Sequence, residues 1–413
     1  MESGKQVNAW TAWNAMFLVG GTCIGGGMLA LPLAAGVGGH FPSLVWLAIC
    51  WALMTASSLL LLEANLWMAE GEHVISMAKK FLGPIGQAVS WVVYLYICYA
   101  SLVSYAAGGG RLLAMQLGIS PNIAIVLVAL GLTLLIYLGA RLVGRVNTIL
   151  FLGMLVAYVF LVGMGLDEIK PHFLGREGLW FPSTFAIPLL LTSFSHQTMV
   201  PSLTPYLQRN GKLLRWAIVG GTLIAFIVYA LWLTIVLGIV PVEGERGLID
   251  AYMQGVPSTQ FLAEHVQGRL LTPVVHFFSF FAIVTSFIGM ALGLFDFLSD
   301  GLKIPENKRG KVLLGLLILI PVIFFALYFE RAFLVAMETT GGIGDAIING
   351  IIPVLMVWVG RYKLGYKSDW SLPGGRPLLT LLLIAFTAIL FWEALMLSTN
   401  LVMDTLTGQM LLG

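Results

Sequence analysis

Residues 12–35 read AWNAMFLVGGTCIGGGMLALPLAA, and this stretch decides the fold. Its flanks are apolar enough to cross a bilayer, yet its centre carries Gly20, Gly21, Gly25, Gly26 and Gly27. A glycine costs a helix interior roughly 1 kcal/mol relative to alanine, so the pattern predicts a helix interrupted at membrane depth. Unwound backbone is tolerated there only where protein buries it or where it lines a cavity. In secondary transporters such interruptions present amides and carbonyls to the substrate and the coupling ion. Close helix packing by small residues is the competing reading of the glycines.

The rest of the chain agrees with a membrane setting. Of its 413 residues, 59% are hydrophobic and 10% charged, where a soluble domain carries about 25% charged residues. A net charge of +2 excludes a strongly basic nucleic-acid binder. Cys23, Cys50 and Cys98 all lie in apolar stretches and read as small buried hydrophobes, with no disulfide or metal framework. The N-terminal MESGKQVNAWTAW shows no cleavable signal, and the apolar run after it is long enough to stay in the membrane. No phosphate loop, metal-ligand spacing or nucleophile–base arrangement stands out, so the chain reads as neither an enzyme nor an ATP-driven pump.

A span needs about 20 apolar residues. Eleven such stretches are expected, at 12–36, 42–66, 85–113, 122–140, 147–166, 184–206, 214–240, 271–298, 312–329, 332–360 and 377–401. Lys and Arg set the orientation. With the N-terminus cytoplasmic, only Arg111, Lys170, Arg176, Arg246, Arg269 and Arg331 fall outside, and the other sixteen of the 22 fall inside. The residues 1–11 are then cytoplasmic and the tail 402–413 is external.

A second interruption lies at 188–205, PLLLTSFSHQTMVPSLTP, where Pro188, Pro201 and Pro205 bracket a polar run. Proline removes a helix donor and clashes with the preceding turn. The breaks fall in the first and sixth stretches, and corresponding interruptions in two halves point to an inverted repeat around a midplane site. The expected fold is an all-α integral membrane protein of 11 transmembrane helices. A first five-helix repeat would cover 12–166, an inverted one 184–360, with an extra helix at 377–401.

A ligand with both a carboxylate and an ammonium is one that such breaks can hold. Its carboxylate needs donors, which the half-helix starting near Gly27 offers at its positive end; Thr22, Gly25, Gly26 and Gly27 would surround it. Its ammonium needs acceptors, and loosened carbonyls near Cys23 or across Ser193, Phe194 and Ser195 would serve. His196 and Gln197 in the second break either bind the substrate, relay a proton or satisfy loosened backbone. Intramembrane acids are functional suspects. Glu63 and Asp296 lie near cytoplasmic ends, with Arg145 or Arg215 as possible partners, whereas Glu393 lies mid-span in the last helix. Trp10, Trp13, Trp67 and Trp180 read as interfacial anchors. In the segment 67–84, Val74, Met77, Ala78 and Phe81 predict a short amphipathic helix on the cytoplasmic surface.

The stretch GGTCIGGGMLALPLAAGVG at 20–38 resembles the first-helix signature of the hydroxy/aromatic amino acid permeases, the tyrosine and tryptophan permeases. The similarity continues through LLLLEANL (59–66), VPSL (200–203), KLLRWAIVGG (212–221), TSFIGMALGLFDFLSD (285–300) and GGRP (374–377). The chain departs from that pattern at Ser193-Phe194-Ser195-His196-Gln197-Thr198, where the family's glycines are missing and the histidine stands one position earlier. The resemblance implies the amino acid–polyamine–organocation superfamily, with a leucine-transporter-type fold. It implies import of an aromatic amino acid, most of all tyrosine, across the bacterial inner membrane by proton or sodium symport and without a cofactor.

It further implies a sodium-binding role for Thr285 and Ser286, and a site-lining role for the third span, where Tyr99 and Ser104 would touch substrate. Partners would be the small-molecule substrate and membrane lipids, with no nucleic acid and no obligate protein partner. Two alternatives stay open: an uncoupled exchanger or facilitator of the same fold, and a membrane sensor that binds without translocating.

Overall fold

The computed structural model describes residues 9–69, 72–137, 140–266, 270–305, 307–329, 331–367 and 370–399, and the expected external tail lies outside them. Among these residues the structure is helical, with no strand. The helices are α1 (Ala9–Cys23), α2 (Gly27–Gly38), α3 (His40–Leu66), α4 (Val74–Leu117), α5 (Pro121–Tyr137), α6 (Ala140–Gly165), α7 (Ile187–Ser193), α8 (Val200–Tyr206) and α9 (Gly211–Ile239). They continue with α10 (Leu248–Gln254), α11 (Ser258–His265), α12 (Leu271–Leu302), α13 (Lys308–Tyr328), α14 (Ala332–Thr339), α15 (Ile352–Tyr362) and α16 (Gly375–Thr399). Thr340–Ile351, between α14 and α15, is wound as a π-helix.

Among the described residues, seven helices (α3, α4, α6, α9, α12, α13 and α16) and the continuous run Ala332–Tyr362 are long and apolar enough to cross a membrane, and α1 with α2 makes a ninth span if the bent pair is one. That pair bends by 60°. The α5 helix and the interrupted stretch 187–206 fall outside this count but coincide with expected spans. The windows of α6, α13 and α16 are the least buried, and their outward faces carry Ile149, Val159, Ile320, Phe324, Ile384 and Phe391. The stretch Ala332–Tyr362 is the most buried and runs through the interior.

Two sequence expectations resolve differently. The segment 67–84 forms the expected short helix from Val74, distinct from the helix after Gly83, but its apolar face is covered by protein. Its residues from Val74 onward open α4, which turns at Gly83 (φ 75°) immediately before Pro84. Val74, Met77, Ala78 and Phe81 are all buried, and Phe81 packs against Trp67 and Tyr366. The apolar face meets protein because the loop after α15 returns over it. Trp67 stacks on Tyr366 at 5.7 Å and is thus not a surface anchor, whereas Trp13 and Trp180 are exposed. The side chain of Trp10 lies outside the described residues.

Prolines inside two helices, Pro32 and Pro321, explain two long-range bonds. A proline cannot donate to the carbonyl four residues earlier. Inside a membrane, that orphaned oxygen needs another donor. Pro32 frees the Met28 carbonyl, which accepts from Trp232 Nε1 at 2.8 Å. Pro321 frees Leu317, which accepts from the Tyr99 hydroxyl at 2.8 Å. At the start of α7 the Thr184 carbonyl, which already accepts from the Ile187 amide, also accepts from Trp392 Nε1 at 3.2 Å. Pro353 follows Asn349 by four residues, and the Asn349 carbonyl accepts from Ser57 Oγ.

Candidate functional site

Four of the five glycines of the first break divide into two groups. Gly20 and Gly21 are packing residues. A Cβ on Gly20 would stand 3.0 Å from the Gly221 carbonyl on α9, and one on Gly21 would stand 2.8 Å from the Phe151 ring on α6. Gly25 and Gly26 lie in the unwound turn, where a Cβ on Gly25 would strike Ser286 Oγ and one on Gly26 would come within 2.6 Å of Tyr105. Neither has positive φ, so space rather than conformational freedom requires glycine there. Close approach lets Ser286 Oγ accept from the Gly26 amide at 2.8 Å.

The second break falls between α7 and α8. Phe194, Ser195 and His196 are non-helical, and a short 3₁₀ turn, Gln197–Met199, leads into α8. The two breaks meet. The Tyr229 hydroxyl on α9 lies 2.5 Å from the Cys23 carbonyl and 2.8 Å from the Ser193 carbonyl. One oxygen within hydrogen-bond reach of both places those carbonyls close together, one from each interrupted segment. Tyr229 has a single proton, so it serves one of the two at a time. The Phe194 ring packs edge-on against Tyr229 at 5.4 Å. A Cβ on Gly27 would stand 3.9 Å from Ser193 Oγ, so the first turn of α2 begins beside the end of α7.

The other expected site residues are distributed as follows. His196 and Gln197 are fully buried and turned toward α3. His196 Nδ1 donates to the Phe194 carbonyl at 2.8 Å, which leaves Nε2 to accept from Ser58 Oγ at 2.8 Å. Gln197 Oε1 accepts from the His196 amide at 2.9 Å, and its Nε2 donates to the Met54 carbonyl at 3.2 Å. Ser193 Oγ donates to Leu189 at 2.8 Å. Thr22 is exposed and donates to the Leu18 carbonyl, away from the junction. Thr285 Oγ1 donates to Phe281 on its own helix at 2.7 Å, whereas its neighbour Ser286 faces the break. Tyr99 is bound to α13, as described, and Ser104 Oγ donates to the Phe333 carbonyl at 2.7 Å. On α4 it is Tyr105 that reaches the first break.

Sequence reasoning missed Asp345. It sits in the π-helical stretch, fully buried, and its Oδ1 accepts from Ser195 Oγ at 2.8 Å and from Asn349 Nδ2 at 2.7 Å. The signal was available, since an acid inside the apolar run GGIGDAIINGI is as conspicuous as Glu393. Glu393 itself is buried with its side chain against Gly342 of the same stretch.

Charged groups close both ends of the bundle. At the end where Lys and Arg predominate, Glu63 pairs with Arg361, not with Arg215, which stacks on Trp370 at 5.0 Å; the Arg145 side chain lies outside the described residues. Asp296 is exposed. At the opposite end the Tyr252 hydroxyl donates to Glu338 at 2.6 Å, and Arg331 covers the Tyr252 ring at 4.7 Å. Burial, reinforced by the neighbouring Glu338 carboxylate, holds the Tyr252 phenol well above its ordinary range.

Comparison with known proteins gives a consistent picture. Residues 9–393 match the tryptophan/tyrosine permease family. The chain is 32% identical over 380 residues to tyrosine-specific transport system 1 of Haemophilus influenzae, covering 90% of this chain and 93% of that one. It is 29% identical over 381 residues to the tryptophan-specific transport protein of Pseudomonas aeruginosa, covering 89% and 90%. It is likewise 29% identical over 402 residues to the low affinity tryptophan permease of Escherichia coli, covering 92% and 94%. Among solved structures, a manganese transporter of Eremococcus coleocola superposes with a TM-score of 0.57 at 12% identity over 96% of both chains, a likeness of fold alone.

Proposed function

The chain belongs to the tryptophan/tyrosine permease family of multi-pass bacterial membrane proteins, and from that premise we propose that it imports an aromatic amino acid, tyrosine in particular, by cation symport with alternating access. The observation that carries this reading is the meeting of the two interrupted segments at Tyr229. Main-chain dipoles from both converge on one buried point, as recognition of a zwitterion requires. The start of α2 supplies the positive end of a helix for the carboxylate. The Cys23 and Ser193 carbonyls are acceptors for the ammonium, which would displace the Tyr229 hydroxyl from them. Ser286 holds the Gly26 amide and so fixes the unwound turn.

The architecture we read is eleven transmembrane helices, two inverted repeats of five and one added helix. The positions of the breaks, in the first and sixth expected spans, support it. The first, second, sixth and seventh spans would rock against the third, fourth, eighth and ninth. Coupling then requires that substrate and cation bind the outward and inward states with different free energies. The excess of Lys and Arg supports a cytoplasmic N-terminus and an external C-terminus in the inner membrane.

Uptake of labelled tyrosine and tryptophan into proteoliposomes, with pH and Na⁺ gradients imposed separately, tests the reading. Accumulation of tyrosine in preference to tryptophan under one gradient is the expected result. Uptake only against internal amino acid would make the protein an exchanger, and binding without uptake would make it a sensor.

A further inference from the structure

Asp345 and Asn349 stand one turn apart in the π-helical stretch, at 0% and 2% exposure. One carboxylate oxygen is fully engaged, by Ser195 and Asn349. The other, Oδ2, is buried beside the Thr192 hydroxyl, which donates instead to the Met337 carbonyl at 2.9 Å, and the amide oxygen of Asn349 is buried with no donor. Among the described residues no Lys, Arg or His forms a salt bridge with Asp345. A buried carboxylate lacking a counter-charge is expensive at membrane depth. The smallest cation that removes the cost is a proton.

We propose that Asp345 binds the coupling proton, an inference that rests on the symport reading above. A proton from the external phase adds to the carboxylate and gives a neutral acid. The same O–H bond breaks when the site faces the cytoplasm, and no other bond changes. Because the amino acid is a zwitterion without net charge, each cycle carries one positive charge inward. Asn349 suits both states. Its amide N–H serves the carboxylate, and after a half-turn of the carboxamide its oxygen accepts from the acid.

Ser195 conveys the state of Asp345 to the substrate site. It lies two residues beyond Ser193, whose carbonyl meets Tyr229, and its hydroxyl is committed to the carboxylate. A neutral acid is a weaker acceptor than a carboxylate, so protonation loosens the second break. Among the described residues, His196 in the second break is committed elsewhere, with Nδ1 on the Phe194 carbonyl and Nε2 on Ser58 of α3. The α7 helix has no titratable residue, and α4 turns Tyr105 toward the site. Glu393 on α16 abuts Gly342, Glu338 on α14 is bound to Tyr252, and Glu63 on α3 and Arg361 on α15 pair with each other at the far ends of their helices.

The test compares wild type, Asp345→Asn and Asp345→Glu in proteoliposomes, with infrared titration of the same purified proteins. In wild type, an inward pH gradient should drive tyrosine accumulation and a Na⁺ gradient alone should not. Asp345→Asn should retain tyrosine counterflow but lose at least 90% of gradient-driven accumulation, while Asp345→Glu keeps it. Accumulation by Asp345→Asn under a pH gradient, or sodium-driven accumulation in wild type, overturns the proposal. Infrared spectra should show a carboxylic acid band that grows as pH falls and is missing in Asp345→Asn; identical spectra also overturn it. Failure of wild type to carry either amino acid would instead strike the transport reading, and the infrared result would stand apart from it.

Discussion

Glu63 and Arg361 form a two-pronged ion pair, with Nε to Oε1 at 2.7 Å and Nη2 to Oε2 at 2.5 Å, across a sequence separation of 298 residues. The pair ties the end of α3 to the end of α15. Leu372 in the loop beyond joins it through both main-chain groups: its amide donates to Glu63 Oε2 and its carbonyl accepts from Arg361, each at 2.9 Å. Removing one partner of a buried pair costs about 3–5 kcal/mol, because the other charge stays buried. Glu63→Ala and Arg361→Ala should each lower the thermal unfolding temperature in detergent strongly, and the double variant should lose clearly less than their sum. Additive losses would show that the two residues do not act as a pair.

Tyr229→Phe removes one hydroxyl and leaves the Cys23 and Ser193 carbonyls short of a donor. The substrate-free protein should lose about 1 kcal/mol of stability. If the ammonium of a bound amino acid takes those carbonyls, saturating tyrosine should raise the melting temperature more in the variant than in wild type. Equal shifts would place the ammonium elsewhere.

Gly26 and Gly27 make a matched pair of probes. A methyl group on Gly26 would meet the Tyr105 ring at 2.6 Å, whereas one on Gly27 finds its nearest neighbour, Met337 Sδ, at 3.9 Å. Gly26→Leu should abolish tyrosine binding in a protein that still inserts, and Gly27→Ala should bind within about threefold of wild type, since an ordinary van der Waals contact adds little strain. Unchanged affinity in Gly26→Leu would make the break purely architectural.

Tyr99→Phe separates packing from recognition. Its hydroxyl serves the carbonyl freed by Pro321, so the variant should lose about 1 kcal/mol of stability while KM for tyrosine stays unchanged. A raised KM with normal stability would return Tyr99 to the substrate site.

Thr285 and Ser286 are adjacent yet distinct in role. Ser286→Ala deprives the Gly26 amide of its acceptor and should weaken tyrosine binding roughly tenfold, the equivalent of one hydrogen bond of about 1.4 kcal/mol. Thr285→Ala removes only a bond within α12 and should leave tyrosine affinity as it was, as isothermal titration of both variants would show.

What was legible in the chain is local. Glycine and proline act on their own turn, so Gly25–Gly27 and Pro188–Pro205 announced the two breaks, and periods of apolar residues announced the helices. What depended on tertiary packing was not legible. Tyr99 finds its acceptor 218 residues away, and Glu63 finds Arg361 rather than a nearer arginine. The apolar face of Val74–Phe81 reads equally well as lipid-facing or protein-facing, and only the returning loop with Tyr366 decides it. Asp345 was legible as an acid in an apolar run, but its bond to Ser195, 150 residues away, forms only where the π-helical stretch meets the second break.

The bonds that α9 makes to the first span have a mechanical consequence. Tyr229 and Trp232 fasten Cys23, before the unwound turn, and Met28, just after it, to one rigid rod, and Ser258 on α11 adds a third fastening at Leu29. The elbow in the first span is therefore splinted. As long as Tyr229 keeps the Cys23 carbonyl, before an ammonium displaces it, a tilt that opens the protein to one side carries both arms of that elbow together with α9 instead of bending the elbow itself.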